Sequence, residues 1–213
     1  MKFDKLLSLV RPLPWFDLAT VVQLVDEPRQ TVLNQLSRFT RSGKLISLRR
    51  GSYILAERYR LIALRPTELA GALYRPSYLS DVWALSYHGL IPESVTELTS
   101  VTTRTPKRFE NALGVFSYRN VKQSMFFGYA PVQISGRRAL VADAEKALVD
   151  HWHLTPGEWT LERTREMRFE RQDTVDVDRL EAMIRRIGKP RLVRAFEAWD
   201  QVTRNAADGE REV

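Results

Sequence analysis

Residues 28–55, PRQTVLNQLSRFTRSGKLISLRRGSYIL, decide how the chain is read. Val32, Leu33, Leu36 and Phe39 recur at three-then-four spacing, the mark of a helix with one buried stripe. Arg29, Gln30, Thr31, Asn34, Gln35, Arg38 and Arg41 are left on the outward face. Ser42-Gly43 then supplies a stop where a left-handed residue is wanted, and residues 44–48 alternate as a strand. Arg49-Arg50-Gly51 turns the chain back into a second strand over residues 52–55. A helix, a glycine stop and a basic hairpin in that order predict a recognition helix followed by a two-stranded wing.

The outward chemistry suits duplex DNA. An arginine forks onto guanine O6 and N7, Asn and Gln pair with adenine N6 and N7, and all of them also bind phosphate. On this reading Arg49 and Arg50 hold the backbone. The same polar face also fits plain solvation, and it is the order of the elements that favours DNA.

Working outward, residues 2–10 read as a short helix with Phe3, Leu6, Leu7 and Val10 on one side. Arg11-Pro12-Leu13-Pro14 ends it. Asp17 is placed to cap a positioning helix over residues 18–25, and Pro28 falls in the first turn of the next helix, where a missing N–H does no harm. The first domain is expected to span residues 1–58 and the second 59–213.

In the second part, Pro66-Thr67-Glu68 signals a helix start, and Ser77 caps a predicted core helix whose face is Leu79, Val82, Trp83 and Tyr87, ended by Gly89. Residues 95–103, 115–121, 125–128, 131–135 and 138–141 are short runs, many of them β-branched or aromatic, divided by Pro, Gly and Asn. They predict a small, mostly antiparallel sheet. Helices are expected over residues 143–152, 158–171, 178–187 and 190–202, with the end of the chain, residues 206–213, frayed. The second of these carries like charges one turn apart (Glu162, Glu166, Glu170), which weaken it. The fold class is therefore α+β: an N-terminal winged helix-turn-helix, then a mixed domain with a small sheet and C-terminal helices.

Composition narrows the function. The chain has 213 residues, 44% of them hydrophobic, with five Trp, nine Phe and seven Tyr, so it can bury a core. It contains no cysteine, which excludes disulfides, thiolate zinc sites and cysteine nucleophiles. No apolar run approaches a membrane span and no signal peptide is evident, so a cytoplasmic protein is expected.

The net charge of +7 is concentrated. Residues 1–58 carry ten Lys/Arg against five Asp/Glu, and residues 98–142 carry seven against one. The second block consists of Arg104, Lys107, Arg108, Arg119, Lys122, Arg137 and Arg138. It reads equally as edge-strand charge that blocks aggregation and as a second contact to DNA or to an acidic partner.

Asp150, His151 and His153 form the one cluster resembling metal ligands, but residues two apart on a helix face different ways. No phosphate-cradling loop or nucleophile elbow appears. No cofactor, metal or catalytic residue is expected.

LRRGSYIL at 48–55, RPSYLSDVWALSYHGLIPE at 75–93, TSVTTRTPKRF at 99–109, GVFSYRNV at 114–121 and DAEKALVD at 143–150 together resemble the AbiEi family of antitoxins from bacterial type IV toxin-antitoxin systems. The resemblance implies a winged helix that binds inverted repeats in its own promoter and represses it. It also implies a C-terminal domain that counters a nucleotidyltransferase-like toxin in defence against phage. Operator half-sites one turn apart would seat two protomers on the DNA. The chain departs from the family in having Asp26-Glu27-Pro28 where small hydroxyl residues are usual. A protein-interaction module whose winged helix is only structural is the alternative reading, and a nucleic-acid-processing enzyme using residues 143–153 is a third.

Overall fold

The computed structural model describes residues 1–170 and 174–209. Its first part runs α1 (Phe3–Val10), β1 (Phe16–Asp17), α2 (Leu18–Leu24), α3 (Arg29–Arg41), β2 (Leu45–Arg49) and β3 (Ser52–Leu55). The Asp17 carboxylate accepts from the Thr20 backbone N–H at 2.8 Å and so caps α2. Phe3, Leu6, Val21, Val32, Leu36, Phe39 and Leu45 close an apolar cluster among the three helices and the hairpin. The hairpin joins β1 in a three-stranded antiparallel sheet ordered β1-β3-β2.

A one-turn helix at Glu57–Tyr59 leads to α4 (Pro66–Leu73), β4 (Ser77–Leu79), α5 (Asp81–Tyr87), β5 (Leu98–Thr102), β6 (Lys107–Asn111) and β7 (Gly114–Asn120). Beyond the short turn Gln123–Met125 come β8 (Tyr129–Ile134), β9 (Arg137–Ala142), α6 (Ala144–Leu154), α7 (Leu161–Glu166), α8 (Val177–Ile187) and α9 (Pro190–Gly209). Six strands form one sheet ordered β6-β7-β5-β4-β9-β8. Helix α6 packs against α5, α8 and α9, and a second, larger apolar cluster runs from Leu48 to Trp199.

The two clusters meet at the hairpin. Leu48 and Ile54 belong to the larger one and Ile46 packs against it, whereas Leu45, Tyr53 and Leu55 on the same two strands belong to the smaller. The Asn111 side-chain amide donates to the Leu48 carbonyl at 3.0 Å, tying β6 to β2.

Several local expectations are corrected. Ser77, Tyr78 and Leu79 do not begin a helix; they are a central strand buried on both faces, and the helix starts only at Asp81, whose φ is 57°. Three buried residues in a row leave no polar alternation to read, and the apolar spacing continued by chance into α5. The pairings of β4 with β5, β6 with β7 and β8 with β9 are antiparallel, whereas β4–β9 and β5–β7 are parallel, so the middle of the sheet is mixed.

Residues 125–128 form no strand, since Gln123–Met125 is a helical turn. Strand β6, KRFEN, is a polar edge that carries no apolar run. The helix expected over 158–171 is confined to Leu161–Glu166, capped by Thr160, and its expected end at Arg171 lies outside the described residues. Of the expected frayed end, residues 210–213 also lie outside them. Among the described residues no helix is long and apolar enough to cross a membrane.

Candidate nucleic-acid interface

Helix α3 buries Val32, Leu36 and Phe39 and leaves Arg29, Gln30, Thr31, Asn34, Arg38 and Arg41 exposed. The Gln30 amide donates to Asn34 Oδ1 at 3.1 Å, which aligns two polar side chains on consecutive turns. Gln35 is placed differently: it is half-buried and donates to Glu27 Oε2 at 2.6 Å. That bond draws Gln35 off the outward face and engages the Glu27 carboxylate. Arg38 lies 5.5 Å from the Phe39 ring centroid.

The hairpin turn stands beside the start of α3. Register shifts between Ser47 and Arg49, so the strand bends before the turn, and Gly51 takes φ +76° to close it. Arg29, Leu33, Arg49, Arg50 and Gly51 line a cleft of about 460 Å³ between helix and turn. Arg50 is exposed, whereas Arg49 is half-buried with its Nε lacking a hydrogen-bond partner among the described residues.

A second cleft, of about 400 Å³, opens on the other side of the same turn. Arg49 and Arg50 line it together with Arg75, Arg104 and Lys107, around Tyr74 and Phe109, and no carboxylate residue lines it. Arg104 is held in place: its guanidinium sits 4.4 Å over the Tyr74 ring, and its Nη1 donates to the Arg75 carbonyl at 3.1 Å. The Tyr74 hydroxyl is fixed in turn by donating to the Thr105 carbonyl at 3.0 Å. Five cations thus converge from the hairpin, the α4–β4 connection and the β5–β6 segment. Arg75 was not singled out in the sequence, and the signal available was its place in RPSY directly before a strand.

The rest of the second basic block disperses. Arg108 pairs with Glu110 at 3.1 Å and approaches Glu97 at 3.8 Å, and Arg137 stands 3.8 Å from Glu68. Lys122 is exposed beside the Gln123–Met125 turn, and Arg138 is exposed on β9. Arg119 points inward, pairing with Asp81 at 3.0 Å and donating to the Leu154 carbonyl.

That arginine belongs to a buried polar network that the sequence did not announce. On α6, Lys146 and Asp150 are ion-paired and fully buried. Asp150 Oδ2 also accepts from the Tyr78 hydroxyl at 2.9 Å and the Ser80 hydroxyl at 2.8 Å. Burial pushes the Asp150 carboxyl above the usual carboxylate range against the pull of Lys146, and it lowers Lys146.

One residue further on, His151 Nδ1 donates to Asp81 Oδ1 at 2.6 Å. Burial raises the Asp81 carboxyl, but the His151 hydrogen bond and the charges of His151 and Arg119 outweigh it and hold it low. His153 faces elsewhere, with its Nε2 3.2 Å from Lys189 Nζ. The two histidines therefore diverge, as their spacing on the helix requires.

No protein-family model matches the sequence, and no curated protein matches it. Among solved structures, the chain is similar to the crystal structure of the RV2827C protein from Mycobacterium tuberculosis. The match covers 96% of this chain and 79% of that one at a TM-score of 0.56 and 13% identity. The likeness is one of fold. It supports the α+β architecture and carries no statement about what either protein binds.

Proposed function

We propose that residues 1–58 act as a winged helix-turn-helix that binds duplex DNA. On the same reading the chain is a cytoplasmic, non-enzymatic autorepressor and antitoxin of the AbiEi kind, with residues 59–213 as its antitoxin domain. The observation that carries the DNA reading is the pairing of an exposed polar face on α3 with a hairpin turn flanked by cations on both sides. Helix α3 enters the major groove, where Arg29, Arg38 and Asn34 reach base edges. The Arg49-Arg50 turn lies on the phosphate backbone.

The family resemblance supplies the rest of the proposal: inverted repeats in the chain's own promoter as the operator, two protomers on them, and a nucleotidyltransferase-like toxin as the functional partner. The test is fluorescence anisotropy with the protein's own upstream DNA and a scrambled duplex over a salt series. Tighter binding to the native sequence that survives at physiological salt is expected. Replacing Arg38 by Ala lowers that affinity, and replacing Arg49 and Arg50 by Ala flattens the salt dependence by about two phosphate contacts. Equal binding to both duplexes, erased by salt, would sink the sequence-specific reading.

A further inference from the structure

The cleft that holds Arg49, Arg50, Arg75, Arg104 and Lys107 gathers five positive charges around about 400 Å³ and no carboxylate residue lines it. Arg108, the next residue along β6, shows the contrast: strand alternation turns it to the other face, where Glu110 answers it at 3.1 Å. None of the five cleft cations has a carboxylate partner among the described residues, and all but Arg49 are exposed. Like charges crowded in this way repel one another, and an anion bound among them removes that repulsion.

Two of the arginines are aimed by contacts that leave most of their donors free. Arg75 Nε donates to the Gly71 carbonyl at 3.2 Å, and Arg104 Nη1 donates to the Arg75 carbonyl at 3.1 Å. The Arg104 backbone is held as well: its N–H donates to Thr102 Oγ1 at 3.2 Å and its carbonyl accepts from the Asn120 amide at 2.9 Å. A guanidinium carries five N–H donors, so most of each fork is open to a ligand, and side chains already ordered lose little freedom on binding it.

The lining asks for charge and offers no free ring surface. The Tyr74 ring is covered by Arg104 and meets Tyr118 and Phe109 edge-on, with centroids 5.2 and 6.1 Å apart, while Trp15 packs against the larger apolar cluster. Phosphate is the anion that guanidinium forks match best, but one phosphate group brings only about two charges. An extended acidic peptide presents a carboxylate to one side only at every second residue, a repeat of about 6.6 Å. A DNA duplex rests its convex backbone on the rim, with neighbouring phosphates a nucleotide apart, and leaves the interior charge unanswered. Three phosphates joined through shared oxygens concentrate enough negative charge to fill the cleft.

We propose that this cleft binds the triphosphate group of a small polyanion, and that its occupancy withdraws Arg49 and Arg50 from DNA. The second half rests on the DNA reading above; the binding itself does not.

The test is isothermal titration of the full chain with sodium tripolyphosphate, pyrophosphate, orthophosphate and ATP, at physiological salt so that diffuse attraction is screened. One-site binding of tripolyphosphate is expected, about tenfold tighter than pyrophosphate, with orthophosphate weaker still. Arg104→Ala and Lys107→Ala should each weaken it about tenfold, and Lys107 is exposed on an edge strand, where its loss spares the fold. Lys122→Ala removes an exposed cation outside the cleft and should change nothing. ATP that binds as tightly as tripolyphosphate assigns the site to nucleotides, and ATP that is excluded assigns it to free polyphosphate; both uphold the triphosphate site. Added to the protein–DNA complex, tripolyphosphate should release the duplex, whereas sodium sulfate at equal ionic strength should not.

No binding of tripolyphosphate at millimolar concentration by the folded chain would overturn the proposal, whether or not the chain binds DNA. Orthophosphate as tight as tripolyphosphate would also overturn it, as would binding that ignores both cleft variants or that Lys122→Ala weakens equally. A duplex that stays bound while tripolyphosphate saturates the cleft would refute the release of DNA and leave the DNA reading standing. Melting curves of each variant confirm that the protein titrated is folded.

Discussion

Lys146 and Asp150 stand one turn apart on α6, ion-paired, with neither side chain reaching solvent. Asp150 is also the acceptor for Tyr78 and Ser80 of the central strand and its end, so one carboxylate ties the helix to the middle of the sheet. Withdrawing two charges from water is costly, and the pair is held because each charge answers the other.

Removing one partner leaves the other charge buried and uncompensated. Lys146→Met and Asp150→Ala should each lower unfolding free energy by about 3–5 kcal/mol in urea denaturation. The double variant Lys146→Met with Asp150→Asn is expected to recover most of that loss, because Asn keeps an acceptor for Tyr78 and Ser80 and no charge remains. A double variant as unstable as either single one would show that the pair's value is not electrostatic.

Gly128 approaches the same lysine. With φ +73°, a Cβ built on it lies 3.1 Å from the Cβ and Cγ of Lys146. At Gly51, where φ is +76°, an added Cβ meets nothing within 4 Å. Gly51→Ala is expected to cost about 1–2 kcal/mol for the left-handed backbone alone. Gly128→Ala should cost clearly more, since the stem of a fully buried lysine must also shift. Denaturation midpoints of the two variants give the comparison directly, and equal losses would mean that the contact relaxes freely.

How much of this was legible in the chain depends on how local each feature is. Helix α3 and the hairpin could be read because Val32, Leu36 and Phe39 keep helical spacing and the Arg-Arg-Gly turn is contiguous. Strand β4 could not, because its three residues are buried on both faces and carry no alternation. The inward turn of Arg119 was hidden for a different reason: its partner Asp81 lies 38 positions away, and nothing near Arg119 distinguishes it from a surface charge. The same holds for the basic cleft, where Arg50, Arg75 and Arg104 come together only through the packing of β2 against β6.

If residues 1–58 bind DNA as proposed, these placements rank the arginines and Gln35 by what they would contribute to it. Arg104→Ala is expected to reduce the salt slope of binding by about one phosphate contact. Arg119→Ala should leave affinity and slope unchanged while lowering stability, because its guanidinium is spent on Asp81 and the Leu154 carbonyl. Gln35→Ala should likewise leave DNA affinity near that of the unmodified protein, since its amide is engaged with Glu27. Anisotropy titrations at several salt concentrations separate the three, and loss of affinity in Arg119→Ala without loss of stability would contradict this assignment.

His153 gives the chain a pH dependence in the range where an ordinary imidazole titrates. Burial first, then the charges of Lys189 and Arg191, pull its imidazole from 6.5 down to about 4. The Lys189 ammonium stands 3.2 Å from Nε2, a contact that a neutral ring accepts and a protonated one repels. Between those two values the unfolded chain binds a proton that the folded chain refuses, so stability rises with pH across the window and is lost as pH falls from 6.5 toward 4. Below the lower value both states are protonated, and His153 adds no further loss. Asp81, whose carboxyl is held low, loses its contribution only further down as the folded group takes up its proton. The variant His153→Gln should therefore flatten urea midpoints between pH 6.5 and pH 4 while keeping the steeper loss in stronger acid. Midpoints that fall equally in both proteins across this window would assign the acid sensitivity to other groups.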